Sequence, residues 1–160
     1  MTIHRLKAGT LDQAGWAEAD STEGAFSVKL PCAFNDFTMD QTSANTPVIK
    51  GYTLGCLRPD RRKFSATRIQ YRGGENFAKS NFERNANGAN WPGADIAKSI
   101  FKGLPVVDVK AKNQTQCGFL RFVLAPPDSF FLAVEAPLET CAGLEVQSTE
   151  FFKSLTVRKR

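Results

Sequence analysis

The sequence predicts an α+β domain: a mainly antiparallel sheet of about six strands flanked by helices on both faces, an α/β/α sandwich. Three observations predict it. Strand-like segments come in two groups, with helical spacing between and after them, instead of alternating with helices as in a doubly wound fold. The segment Cys117–Leu124 is apolar on both faces apart from Arg121, as expected of a central strand covered on both sides, and such a sheet calls for a helix layer on each face. The chain has 160 residues, 42% hydrophobic and 23% charged, close to an average globular domain. With no internal repeat and no second core, residues 1–160 are read as one domain.

In chain order, residues 1–15 carry little periodic apolar signal and are read as a loosely packed arm, with Trp16 as its anchor. Phe26, Val28, Leu30 and Cys32 alternate with polar neighbours and predict a half-buried strand. Residues 35–47 are polar and read as a loop. A second strand follows over 48–56, with Tyr52, Leu54 and Cys56 on one face, and a third over 64–71. Between them, Leu57–Lys63 contains Pro59-Asp60 and predicts a hairpin turn. Phe77, Ala78 and Phe82 predict a helix over 75–86. Ile96 and Ile100, four apart and followed by Gly103, predict a short helix over 95–102. Strands are then expected at 105–109, 117–124 and 130–136. A closing helix over 144–155 is predicted from Leu144, Phe151, Phe152 and Leu155, with Lys153 suiting a helix C-terminus and residues 156–160 forming a basic tail.

The net charge of +5 is local. Arg58, Arg61, Arg62, Lys63, Arg68 and Arg72 face a single acid, Asp60, within residues 58–72, so this stretch alone sums to +5 and the rest of the chain is neutral overall. Five of the six are arginines, whose planar fork suits carboxylate or phosphate. These six residues are the candidate partner-binding site. The bland alternative is a solvated loop. Nucleic acid is disfavoured, because Phe64 and Tyr71, which flank the patch, have opposite strand parity and divide between the faces.

Four cysteines, Cys32, Cys56, Cys117 and Cys141, leave three pairings open and allow two settings: two disulfides in an oxidising compartment, or four core thiols in a cytosol. The even count favours disulfides. Met1–Lys7 has no apolar run of signal-peptide type, and no segment approaches the roughly 20 apolar residues of a spanning helix. A periplasmic or secreted protein is therefore expected, its signal peptide not in this chain, with the cytoplasm as the alternative.

Catalytic chemistry finds little footing. His4 is the only histidine, so Ser-His-Asp and Cys-His systems lack a base. The Cys and His spacing fits no zinc site, and Gly73-Gly74 lacks the Lys-Ser/Thr of a phosphate loop. Carboxylates such as Asp36, Asp95, Asp108 and Asp128 are read as solvated groups in turns or on helix surfaces. Arg121, inside an apolar strand, calls for an acid across the sheet. No enzyme, cofactor or metal is expected.

Trp16, Glu23-Gly-Ala-Phe26-Ser-Val-Lys-Leu30-Pro31, Gly103-Leu-Pro105, Arg121-Phe-Val-Leu124, Phe131-Leu-Ala-Val134 and Phe151-Phe-Lys-Ser154 together resemble bacterial domains of the PsbP-like α/β/α sandwich superfamily. That group includes an oxygen-evolving-complex subunit, a Ran-binding nuclear-import cofactor and periplasmic lipoproteins. The resemblance covers roughly residues 16–155 and carries over no site residue. It implies a domain that binds or organises other proteins, and the basic hairpin, read from its charge, points to a partner with an acidic face. The rival expectation is an anion-binding module, for nucleic acid or lipid head groups, using the same hairpin.

Overall fold

Alternation along the strands assigns each side chain to one of two unlike faces of a large sheet. In the computed structural model, which describes residues 1–9, 11 and 15–159, eight strands form this sheet. Their spatial order is β1 (Thr2–Ala8), β4 (Asn35–Asp40), β5 (Val48–Leu57), β6 (Lys63–Tyr71), β10 (Asp128–Pro137), β9 (Gln116–Ala125), β8 (Leu104–Lys112) and β7 (Asp95–Phe101). All neighbours are antiparallel. A three-stranded sheet joins β11 (Thr156–Val157), β3 (Phe26–Leu30) and β2 (Ala17–Asp20). Two α-helices complete the fold, α1 (Gly74–Ala86) and α2 (Leu144–Lys153), with a 3-10 turn at Leu138–Thr140.

One face of the large sheet is closed by the small sheet together with α2. Phe64 and Ala66 of β6, and Phe130, Leu132 and Val134 of β10, meet Phe26, Val28 and Leu30 of β3 and Phe151 of α2. The aromatic rings pack edge to face, Phe26 with Phe130 at 5.2 Å and Phe64 with Phe151 at 5.7 Å, as the ring quadrupoles favour. The amphipathic stripe of α2 makes this possible, and Gly143 at φ 77° supplies the left-handed residue that turns the chain into it.

The opposite face carries α1, which rests Ala78 and Phe82 over Val107, Val109, Leu120 and Leu124. Glu75 in its first turn and Arg84 in its last suit the helix dipole. This helix packs on β6 to β10 and on the strands beyond, not across the full width of the sheet.

The predicted α/β/α sandwich of about six strands with helices on both faces is overturned. The described residues build eight strands plus three, and only two α-helices, so helices do not flank both faces as layers. A central strand covered on both sides does not require helices, because a second sheet packed about 10 Å away buries apolar faces equally well. Cys117–Leu124 is such a strand, with Val123 facing the closed core and Leu120 facing α1. The predicted helix over 95–102 is strand β7, which pairs with β8 through the Lys102-Gly103 turn. Spacing of four is even, so Ile96 and Ile100 share a face in a strand as they do in a helix. Residues 35–40, read as loop, form β4. There the polar Asp36 and Thr38 point to the closed side, and Phe37 and Met39 point away from it. Thr2–Ala8 forms the edge strand β1, exposed at every position. Of the predicted arm, residues 10 and 12–14 lie outside the described residues, as does Arg160 of the basic tail.

Candidate functional site

The β5–β6 turn is built by its own polar groups. The Arg58 N–H donates to Arg62 O, the Arg61 N–H donates to Arg58 O, and the Asp60 carboxylate accepts from the Arg62 N–H at 3.1 Å. Arg61 takes the left-handed φ of 68° that closes the turn. The turn brings Arg58, Arg61 and Arg62 together, but their guanidinium groups are largely engaged inside the molecule. Arg58 Nη1 donates to Pro31 O at 3.0 Å. Arg62 spends its whole fork: Nε on Thr140 O, Nη1 on Gln147 Oε1 and Nη2 on Ala142 O, at 2.6–2.9 Å. Arg61 is open, paired among the described residues only with the equally exposed Glu139 at 2.6 Å.

Both disulfides stand beside these contacts. Cys32 pairs with Cys56 and Cys117 with Cys141, so the four cysteines are joined and no described cysteine is free. Cys32 follows Pro31, whose carbonyl holds Arg58. Cys141 lies between Thr140 and Ala142, whose carbonyls hold Arg62. The cysteines and the arginines, two separate signals in the sequence, thus form one rigid pole.

The other three basic residues go elsewhere. Lys63 starts β6, points to the α1 side, and makes no ion pair among the described residues. Arg68 points the opposite way and is buried. Its Nε donates to Asp128 Oδ2 at 2.8 Å, its Nη1 donates to the carbonyl of Gly24 at 3.0 Å, and its guanidinium lies 5.2 Å from the Phe130 ring centre. Arg72, nine residues and about 30 Å along the strand direction from Lys63, donates to Ser43 O at 3.2 Å. The six residues do not form one patch.

Several carboxylates read as solvated are in fact structural. Asp128 is Arg68's partner, and Asp108 receives Arg121 in a two-bond fork at 2.7 and 2.9 Å across the β8–β9 register, which supplies the acid Arg121 called for. Asp36 is buried and accepts from the Thr22 N–H and hydroxyl at 2.8 and 2.6 Å. His4 sits on exposed β1, 3.7 Å from Asp40. Among the described residues, no group of three or more His, Cys, Asp or Glu side chains could hold a metal ion. Tyr71, beneath α1, is pushed above its usual titration range by burial, against hydrogen bonds to Ser129 and Asn81 that favour the ionised form.

The surface that the sequence did not reveal lies on the α1 side, beyond the reach of the helix. Phe37, Met39, Val48, Ile69 and Phe131 floor a groove of about 430 Å³ across β4, β5, β6 and β10. Thr53 and Thr67, hydrogen-bonded to each other at 2.8 Å, cross its middle. Lys63 stands at one end. Arg72 lies toward the other beside Thr46, and Arg5 shares the face opposite Phe37. None of these three cations has an ion-pair partner among the described residues. The missed signal was the alternation Phe37, Met39 within the polar stretch read as loop.

No family model matches the chain, and no curated protein sequence matches it. Solved structures do. Cyanobacterial PsbP (CyanoP) from Synechocystis sp. PCC 6803 superposes with a TM-score of 0.56 at 11% identity, over 94% of this chain and 96% of that one. A Pseudomonas aeruginosa protein of unknown function gives 0.47 at 14% identity, over 91% and 99% of the two chains. LpqN of Mycobacterium tuberculosis, involved in cell envelope biogenesis, gives 0.47 at 10% identity, over 99% and 91%. The superposition on CyanoP spans nearly the whole of both chains, and the fold of this chain is PsbP-like.

Proposed function

We propose that this chain is a non-enzymatic, extracytoplasmic binding domain that works through protein–protein contact. Its contact surface is the uncovered half of the large sheet, with the basic hairpin supplying Lys63 at its rim. The observation that carries this reading is the groove itself: half-buried Phe37, Met39 and Phe131 lie on a sheet face that α1 leaves open. Apolar side chains rimmed by charge are the usual anatomy of a docking surface. The occupant is a folded protein with an apolar ridge and an acidic border, because Arg5, Lys63 and Arg72 around the groove carry unpaired positive charge. The two disulfides support a place in an oxidising compartment, and no helix among the described residues is long and apolar enough to cross a membrane.

The rival reading, an anion-binding module on the hairpin alone, has less to work with. The fork of Arg62 is committed to backbone and side-chain acceptors, and Arg58 is tied by Nη1 to Pro31 O and paired with Asp60, which leaves Arg61 and Lys63 as the more available heads. Proteins recovered with the native chain are identified, purified and titrated against four variants. Met39→Glu and Lys63→Glu are expected to weaken a true partner at least tenfold, the scale of one lost interface anchor. Lys153→Glu on α2 and Arg61→Ala leave it within about twofold. Equal binding by Met39→Glu rejects the open face as the contact. Binding that vanishes with moderate salt and is insensitive to Met39→Glu assigns the anion-binding reading instead.

A further inference from the structure

The geometry points to a second, independent site: a cleft at the C-terminal end of the closed face that takes an amphipathic anion, a carboxylate or phosphate head on an apolar chain. The cleft measures about 380 Å³, within the range of small-molecule sites of about 300–1,000 Å³. It opens between the β7–β8 turn, the end of β9 and the segment 155–159. Phe101, Leu104, Leu155 and Val157 give it an apolar floor. Four cations line it, Arg68, Lys102, Arg158 and Lys159, and among the described residues no carboxylate does.

The charge is not all free. Asp128 neutralises Arg68 from behind, and Asp20 pairs with Arg158. Lys102 and Lys159 have no ion-pair partner among the described residues. Lys102 is held in place: its Nζ donates to Leu155 O at 2.8 Å and lies 5.0 Å from the Phe101 ring centre, on a turn where Lys102 itself has φ 50°. The two-residue Lys102-Gly103 hairpin turn, with both residues at positive φ, sets this ammonium over the apolar cleft, where it is placed for an anion. Lys102 retains two further N–H donors beyond the one spent on Leu155. Lys159 brings in the basic tail, a sequence feature that the docking face leaves unused. The cleft lies on the opposite side of the large sheet from the open groove, so each site stands or falls alone.

The test uses the oxidised chain of residues 1–160 at pH 8 and fixed ionic strength, titrated with sodium decanoate, decyl phosphate, 1-decanol and inorganic phosphate. Binding is followed by amide NMR shifts and calorimetry. Decanoate or decyl phosphate is expected to saturate with shifts at 101–104 and 155–159, and the tighter of the two names the head group. Lys102→Met combined with Lys159→Met is expected to weaken binding about tenfold, the scale of two charge-assisted contacts. The methionine keeps the aliphatic stem over Phe101, and Lys159→Met alone, near the chain terminus, provides a variant whose folding is not in question. Decanol binding as tightly as decanoate overturns the role of the cations. Inorganic phosphate binding as tightly as decyl phosphate overturns the role of the apolar floor. Absence of saturable binding by both amphiphiles overturns the site.

Discussion

Phe130 and Phe131 are adjacent in β10 and face opposite ways. Phe130 is fully buried between Phe26 and the guanidinium of Arg68, under the small sheet. Phe131 is half-buried, stacked on Phe122 at 4.9 Å, and forms part of the open groove floor. The closed side has a second sheet, a helix, two edge-to-face aromatic pairs and a buried ion pair. The other has one helix and an uncovered remainder. One side of the sheet is spent on holding the fold, which leaves part of the other free to offer apolar side chains to a partner without loss of the core.

The largest effect should come from breaking this asymmetry at its sharpest point. Phe130→Ala is expected to lower unfolding free energy by about 3–5 kcal/mol, the usual cost of emptying a buried aromatic site. Phe131→Ala should cost about 1–2 kcal/mol, since its ring buries only part of its area. Urea denaturation of the two variants measures both. Costs within about 1 kcal/mol of each other would mean that the open face contributes as much to stability as the closed one.

Next in size are the staples of the closed side and its basic pole. Each disulfide spans a sequence separation of 24, for which loop-closure entropy suggests about 3–4 kcal/mol. Replacing Cys117 and Cys141 together by Ser is expected to cost slightly more than replacing Cys32 and Cys56. Cys141 also steadies the carbonyls of Thr140 and Ala142, on which the mostly buried Arg62 side chain depends. A larger loss from the Cys32–Cys56 pair than from the other would separate the arginine contacts from the disulfide that flanks them.

How much of this was legible depended on which face a residue served. Strands form where they are expected, near 26–32, 48–56, 64–71, 117–124 and 130–136, the first two from alternation, the third from β-forming residues and the last two from continuous apolar runs, because their apolar side chains point into the closed core. The helices near 75–86 and 144–155 were read from stripes for the same reason. Strand β4 was not, because it turns Asp36 and Thr38 inward and Phe37 outward, with Asp36 Oδ2 taking both hydrogen bonds from Thr22. Strand β1, all exposed, has no apolar face to read. The basic stretch was visible as composition, but its consequence was not. Whether an arginine faces a partner or a backbone carbonyl 80 residues away is decided by tertiary placement, as Arg62 and Ala142 show.

The smallest expected effect lies under α1, where the covered part of the open side meets the uncovered part. Tyr71 is buried there, and burial disfavours its phenolate, so its folded titration point lies above the usual 10.0. Between 10.0 and that raised value the unfolded chain has lost the proton and the folded chain has kept it. Stability from this group is therefore fully present below the unfolded value and falls as pH rises through the folded one. Tyr71→Phe removes the proton and should flatten this part of the profile, at the cost of the hydrogen bond to Ser129 at lower pH. Urea midpoints of the native chain and of Tyr71→Phe, compared across the alkaline range, read the difference. A native chain that loses no more stability than the variant would mean that water reaches Tyr71 under α1. The open half of the sheet would then extend beneath the helix, and the line between the side that folds and the side that binds would run through α1, not beside it.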